Sequence, residues 1–232
     1  SFARVEHTFG QQARFTSDAS HELRTPISVI LTESQLALKR ERSAAEYRES
    51  LVVCCETAGK MKHLVDDLLL LARSDARALQ ANRSACDLSA LADSVRRLLE
   101  PLAEERGLRL RHAAAPAPTQ GDAAQLERIL VNLVMNAVQH SPAGAEIVIE
   151  TATEDGLAVA RVIDPGRGIP AEALPHIFDR FYRVDPSRAR TEGGAGLGLA
   201  ISQGIAESHG GRIEAQSEPG VRTVFTLRLP SA

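Results

Sequence analysis

Apolar residues recur every three or four positions along the first third of the chain, which is the spacing of one face of an α-helix. The clearest series alternates steps of four and three and contains Tyr47, Leu51, Cys54, Ala58, Met61, Val65, Leu68 and Ala72. A weaker series in the preceding segment contains Ala19, Leu23, Ile27, Ile30, Ser34 and Ala37. These patterns predict two helices, over residues 3–40 and 44–75, joined by a short polar link into an antiparallel helical hairpin.

Further apolar residues widen this stripe beyond one seam, among them Leu31 and Leu38 in the first helix and Leu64 and Leu69 in the second. A heptad pattern sustained for more than three repeats is typical of helices that pack against other helices. An isolated hairpin would leave much of this surface in water, whereas two hairpins packed as a four-helix bundle would bury it. We therefore expect a homodimer.

The rest of the chain mixes helical and strand patterns. Helices are predicted over residues 87–106, 122–140 and 197–209, and strands over 108–112, 146–153, 157–164, 211–217 and 222–229. Asp87 is the expected N-cap of the first of these helices, and residues 113–118 are expected to form a loop. The expected fold is α+β, with antiparallel strands and helices packed on one face as a two-layer sandwich.

The heptad pattern breaks at residues 76–86, which predicts a connection between two domains. The expected organisation is a helical hairpin over residues 1–76, a linker over 77–86 and the α+β domain over 87–232. No internal repeat is present in the sequence.

Charge and composition exclude some classes of function. The chain has 27 Lys and Arg against 30 Asp and Glu, which argues against a nucleic-acid partner because binding to phosphate backbones needs a basic surface. Adjacent Cys54 and Cys55 within a helical pattern suit neither a metal site nor an easy disulfide, and all three cysteines, with Cys86, are expected to be reduced thiols of a cytosolic protein. No apolar run approaches the ~20 residues that span a bilayer. The chain also begins without Met, and we expect an upstream part to be missing.

His21 is the first candidate for chemistry. It lies two residues before Leu23 of the seam and therefore points away from the seam. A single exposed histidine is usually an ordinary surface residue, but here Glu22 follows it and Thr25 lies one helical turn further on the same face. A histidine nucleophile needs one neutral ring nitrogen and a base that holds the proton of the other, a role available to Glu22. Pro26 removes a backbone donor and favours a bend.

Residues 15–26, Phe-Thr-Ser-Asp-Ala-Ser-His-Glu-Leu-Arg-Thr-Pro, resemble the phosphoacceptor box of sensor histidine kinases. The resemblance implies that His21 is the phosphorylated residue and that Glu22 is the base. We expect Thr25 to act in a separate step, by orienting a water toward a phosphorylated response regulator docked on the bundle. The alternative is that Thr25 only bonds to the backbone carbonyl of residue 21, a common role for Thr inside helices.

Four later segments resemble the ATP-binding domain of the same family, in its order. The first contains Asn132 and Asn136, which share one helix face. Their amide oxygens suit Mg²⁺, which prefers oxygen ligands together with phosphates and waters. Alternatively they are surface residues, although their apolar neighbours place one of them near the core edge, where an amide needs partners. The resemblance also implies a nucleotide contact at His140.

The second segment, residues 164–170, follows a predicted strand. The resemblance implies that Asp164 accepts a hydrogen bond from the exocyclic amine of adenine. Gly166 and Gly168 let the backbone approach the base closely, beside Ile169. The alternative is that Asp164 only starts a turn.

The third segment, residues 177–185, resembles the phenylalanine box of the family, which anchors a mobile lid expected over residues 179–195. Arg183 is expected to reach the terminal phosphate of ATP, and Arg188 and Arg190 are either phosphate contacts or solvated residues. The fourth segment, residues 193–199, is a glycine-rich turn that opens a helix and presents backbone N–H groups to an anion. The resemblance implies contacts with ATP at Gly194, Gly196, Leu197 and Gly198.

Two positions depart from the family, Pro165 where Asn is usual and Gln139 where Lys is frequent. The expected function is nonetheless that of a dimeric sensor histidine kinase, which phosphorylates itself from Mg²⁺–ATP, transfers the group to a response regulator and also acts as a phosphatase toward it. The expected location is the cytoplasmic portion of an inner-membrane sensor protein, with membrane contact only through a missing N-terminal sensor region.

Two other functions compete with this one. An ATP-driven conformational machine, as in the gyrase, mismatch-repair and heat-shock chaperone families, shares the ATP fold but lacks a phosphoacceptor box on a preceding hairpin. A degenerate kinase that serves as a dimeric scaffold would need a damaged box, and neither Pro165 nor Gln139 performs the chemistry.

Overall fold

The computed structural model describes residues 2–75, 82–185 and 195–232, with side chains for residues 15–73, 82–185 and 195–232. The chain forms two compact units, Ser1–Leu70 and Leu71–Ala232. Each unit is described by itself below.

The first unit is the predicted helical hairpin. Helix α1 is Phe2–Leu38 and helix α2 is Ala44–Asp75, and α1 continues through Pro26. The start of α2 is a capping box, in which the Ser43 backbone N–H donates to Glu46 Oε2 at 2.8 Å and the Glu46 N–H donates to Ser43 Oγ at 3.3 Å. These bonds to Ser43 lower the pKa of the Glu46 carboxyl group. The polar link therefore ends in a defined helix start.

A single hairpin leaves much of its apolar surface uncovered. Leu51 of the predicted seam is 64% exposed, and Leu31 and Leu69 are both 53% exposed. In contrast, Leu23 and Ile30 of α1 are half-buried and Leu64 of α2 is buried. The exposed stripe is therefore a second face, and it is available for packing against another helical surface.

The second unit contains three α-helices and seven strands among its described residues. The helices are α3 Leu88–Glu105, α4 Ala123–His140 and α5 Gly198–Ser208, with a short 3₁₀ helix at Leu174–His176. The strands are β1 Ser84–Asp87, β2 Arg109–Ala113, β3 Pro118–Gly121, β4 Glu146–Glu154, β5 Leu157–Asp164, β6 Arg212–Glu218 and β7 Arg222–Pro230. The predicted elements are confirmed with shifts of one or two residues, apart from β1 and β3.

The main sheet has five strands in the order β2-β4-β5-β7-β6. One of its pairs, β2 with β4, is parallel, so the expectation of a wholly antiparallel sheet was wrong. The physical reason is the connection between them: it contains α4, and a parallel pair needs a crossover of a dozen or more residues, usually a helix. Apolar residues such as Leu126, Ile129, Leu133, Ile147 and Ile149 are fully buried between the helices and the sheet, which is the expected two-layer sandwich.

The end of the predicted linker also needs correction. Residues 84–87 form β1, which pairs antiparallel with β3, in the register Ser84 to Gly121. Asp87 caps α3 through its contact with the Ser89 N–H, as predicted, and the same oxygen accepts from the Ala117 N–H at 2.9 Å. A strand of the sheet structure therefore already forms at Ser84, within the predicted linker, and β3 begins at the last residue of the predicted loop.

Candidate functional site

His21 lies on the exposed surface of α1, beside the equally exposed Glu22 and Thr25. His21 and Thr25 line a shallow depression together with Arg24, Ser28, Val29, Thr32 and Glu33. Ser20 and Ser28 donate their hydroxyls to backbone carbonyls one turn earlier, at 2.7 and 2.9 Å. Among the described residues, the Thr25 hydroxyl makes no such bond to the carbonyl of residue 21, which was the alternative role considered for it.

Helix α4 supplies the two asparagines of the second unit. Asp122 caps the helix by accepting from the Gln125 N–H at 3.2 Å. The Asn132 Nδ2 group donates to the Gly198 carbonyl at 3.1 Å and to Ser202 Oγ at 3.2 Å. Asn132 is therefore the asparagine expected near the core edge, and its amide has hydrogen-bond partners there. It joins α4 to the first turn of α5 and keeps its Oδ1 oxygen available as an acceptor.

Asn136 lies one turn beyond Asn132 on the same face of α4 and is half-buried. Its amide has no hydrogen bond within the part of the chain that the structure describes. No group of three His, Cys, Asp or Glu residues that could hold a metal ion occurs there either. The oxygen donors nevertheless fit Mg²⁺, because this ion needs only one or two protein ligands when phosphates and waters complete its shell.

Asp164 ends β5 and is only 4% exposed. Its Oδ1 accepts from the Gly166 N–H at 3.0 Å. Burial raises the pKa of the Asp164 carboxyl group to about 6, and the bond from Gly166 opposes that rise. A buried, desolvated carboxylate at a strand end is a strong acceptor for a ligand N–H group.

Gly166 fits where a larger residue would not. A Cβ atom there would lie 2.5 Å from Asp164 Oδ1 and 2.8 Å from the His140 carbonyl oxygen. At Gly168, whose φ is +76°, a Cβ atom would lie 2.5 Å from the Cα of Pro219. The loop after β5 is thus packed tightly between the end of α4 and the β6–β7 turn, with Asp164 beneath it.

Thr223 is a site residue that sequence reasoning missed. It pairs directly with Asp164 across β5 and β7 and is 4% exposed. Its hydroxyl lies 3.0 Å from Ser217 Oγ, which in turn accepts from the Ile169 N–H at 2.8 Å. The alternation of residues along β7 could have indicated this position. Thr223 lies on the same buried face of the strand as Phe225 and the leucines after it.

The root of the predicted lid is closed by a backbone bond. Phe181 donates its N–H to the Gly196 carbonyl at 3.0 Å, although its φ of 61° is unusual for a residue other than glycine. Arg183 lies in this root and is half-buried, and Leu197 is buried just before Gly198 opens α5. Residues 186–194, with Arg188, Arg190 and Gly194, lie outside the described residues.

Among the described residues, two groups of the predicted nucleotide residues lie along α4. Asn132, Gly198 and the start of α5 lie at one end, and Asp164, Gly166 and His140 lie at the other. The phosphoacceptor candidates His21, Glu22 and Thr25 belong to the first unit.

Comparison with known proteins identifies the family. Residues 11–77 match the His Kinase A (phospho-acceptor) domain, and residues 121–232 match the histidine kinase-, DNA gyrase B-, and HSP90-like ATPase domain. The chain belongs to the sensor histidine kinases. The phospho-acceptor match separates it from the gyrase and chaperone families, which the sequence alone left as rivals.

Relatives within the family match almost the whole chain. The sensor protein IrlS of Burkholderia pseudomallei is 39% identical over 98% of this chain and 49% of its own length. The sensor histidine kinase CusS of Escherichia coli K12 is 39% identical over 97% of this chain and 47% of its own length. The chain thus spans about half the length of these relatives. None of the described helices is long and apolar enough to cross a membrane.

Solved structures agree on the fold. The Acinetobacter baumannii histidine kinase AdeS superposes with a TM-score of 0.73 at 24% identity, over 90% of this chain and 97% of that one. The mycobacterial sensor histidine kinase MprB is 28% identical with a TM-score of 0.55, over 64% of this chain and 97% of its own. Both matches support the fold of a histidine kinase core.

Proposed function

We propose that this core binds Mg²⁺–ATP in its second unit and transfers the terminal phosphoryl group to His21. The observation that supports this most strongly is the buried Asp164, which has one oxygen bound to Gly166 and the other available beside a tightly packed glycine loop. This is the chemistry that recognises an adenine amine, because a carboxylate accepts and cannot donate.

The nucleotide is expected to run along α4. An α-helix rises 1.5 Å per residue, so Asn132 and His140 are about 12 Å apart along the axis. Asp164 at the His140 end would take the base, and the free N–H groups of the α5 N-terminus at the Asn132 end would take phosphates. Asn136, between them, and the Oδ1 of Asn132 would hold Mg²⁺, which supplies charge neutralisation on the phosphates when bound. Arg183 would approach the terminal phosphate.

In the transfer step, one ring nitrogen of His21 forms a bond to the terminal phosphorus. The bond from that phosphorus to the bridging oxygen breaks, and ADP leaves with the electron pair. Glu22 holds the proton of the other ring nitrogen, which keeps the attacking nitrogen neutral and stabilises the charge that develops on the ring.

We further propose two partners. A second copy of the chain would cover the exposed stripe that contains Leu31, Leu51 and Leu69, forming a four-helix bundle. A response regulator receiver domain would dock over the depression around His21 and Thr25 and take the phosphoryl group on an aspartate, and Thr25 would orient the water that later removes it. Because the relatives are about twice as long, we propose that the chain is the cytoplasmic portion of a longer membrane sensor.

The experiment that tests this function uses ATP labelled at either the γ or the α position. The γ label should appear on the protein in an acid-labile, base-stable form, and the α label should not. An ATPase that only changes conformation would hydrolyse ATP without retaining any label, and that result would contradict the proposal.

A further inference from the structure

Arg167 is a charged residue of the glycine loop for which the family resemblance gives no role. Its Nη2 lies 3.2 Å from Nδ1 of His140, the last residue of α4. The two residues come from different elements, the loop after β5 and the C-terminal end of α4. A Cβ atom at Gly166 would lie 2.8 Å from the His140 carbonyl oxygen, so the loop closely approaches the end of α4.

Because a guanidinium group only donates hydrogen bonds, Nδ1 of His140 is the acceptor in this contact. Arg167 uses one of its five N–H donors in this contact. Guanidinium and imidazole are both flat groups with polar edges, which suits them to lie against a purine base or to donate to a ribose hydroxyl.

The position of the pair along α4 decides which part of a nucleotide it meets. His140 is about 6 Å from Asn136 and about 12 Å from Asn132 along the helix axis. The phosphate end of the region is marked by the bond from Asn132 to Gly198, where α5 begins. The pair instead lies beside Asp164, because Gly166 contacts both Asp164 and His140. Arg167 is therefore placed near the base rather than near the phosphates.

We propose that Arg167, positioned by His140, is a further nucleotide-binding residue that contacts the adenosine part of the ligand. This inference rests on the nucleotide site proposed above and adds a residue to it. This role differs from that of a residue that merely replaces the lysine that the family often has at position 139. A replacement of that kind would act on the phosphates, whereas Arg167 acts on the adenosine part, which carries no phosphate.

Calorimetric titration of the full chain with adenosine and with a non-hydrolysable ATP analogue plus Mg²⁺ tests the proposal. Arg167→Ala should lower the affinity for both ligands by the same factor, roughly five- to tenfold. His140→Ala should give a similar loss, and the double variant should lose little more than either single variant, because the two residues act together. Arg97→Ala, which removes an exposed arginine of α3, is the control for loss of one positive charge.

Three results would overturn the role of Arg167: wild-type affinity in Arg167→Ala for both ligands, a loss confined to the triphosphate, or fully additive losses in the double variant. Failure of the wild-type chain to bind the ATP analogue would instead contradict the proposed function itself. Thermal melting of each variant shows whether it is folded, and Arg167 is exposed, so its removal should leave the fold intact.

Discussion

Asp164→Asn should make the protein more stable and at the same time worse at binding ATP. The folded state raises the pKa of this carboxyl group from 3.8 to about 6, which corresponds to about 3 kcal/mol at 1.36 kcal/mol per pH unit. Because the folded-state pKa is the higher one, folding favours the neutral acid. The penalty for the carboxylate is absent below pH 3.8, grows between pH 4 and 6, and is complete at pH 7.

The variant removes that penalty and keeps the local structure, since the Asn oxygen can still accept from the Gly166 N–H. Its free energy of unfolding should exceed that of the wild type by about 2–3 kcal/mol at pH 7.5 and by almost nothing near pH 4. Its affinity for ATP at pH 7.5 should fall about ten- to a hundredfold, because a hydrogen bond to a charged acceptor is worth about 1.5–3 kcal/mol.

Urea denaturation of the second unit at pH 4, 6 and 7.5, with circular dichroism as the signal, measures the change in stability. Titration calorimetry measures the change in affinity for ATP. Glu172→Gln, which neutralises an exposed carboxylate, controls for the loss of one negative charge. A difference in stability between Asp164→Asn and the wild type that does not change with pH would refute the reasoning about burial. Unchanged affinity for ATP would refute the assigned role of the carboxylate.

Three further substitutions test other parts of the molecule. Asn136→Ala should remove the Mg²⁺-dependent part of ATP affinity, so calorimetry with and without Mg²⁺ should give equal values for the variant; a remaining Mg²⁺ effect would contradict this. Thr25→Ala should keep self-labelling but slow the loss of label from a phosphorylated regulator, and a parallel fall in both rates would show a structural role. Asp122→Ala should destabilise the second unit by about 1 kcal/mol in urea because α4 loses its N-cap; unchanged stability would contradict that.

The sequence predicted best where a periodic pattern and a local chemical signal coincided. The heptads placed both hairpin helices to within two residues, and the strand that ends in Asp164 was placed without error. The spacing of Asn132 and Asn136 predicted that they share one face of a helix, and the structure places both in α4, with Asn132 bonded to the start of α5. The position of each of these residues depends on a single helix or strand, so a short stretch of sequence is enough to predict it.

The errors all concern pairing between distant segments. Strand β1 has four residues without clear alternation, and it exists because β3, more than 30 residues away, completes its hydrogen bonds. The parallel pairing of β2 with β4 depends on the path of α4 across the sheet. Thr223 joins the site only because β7 lies beside β5. The local spacing of apolar residues cannot predict any of these contacts.

Labelling of His21 by γ-labelled ATP is the measurement that tests the phosphoryl transfer most directly. The wild-type chain should take up acid-labile label, and His21→Gln should take up none while binding ATP normally. The other histidines, His7, His63, His112, His140, His176 and His209, remain in the variant as internal controls, and the last of these is only 3% exposed. Undiminished label on His21→Gln would show that another residue accepts the phosphoryl group.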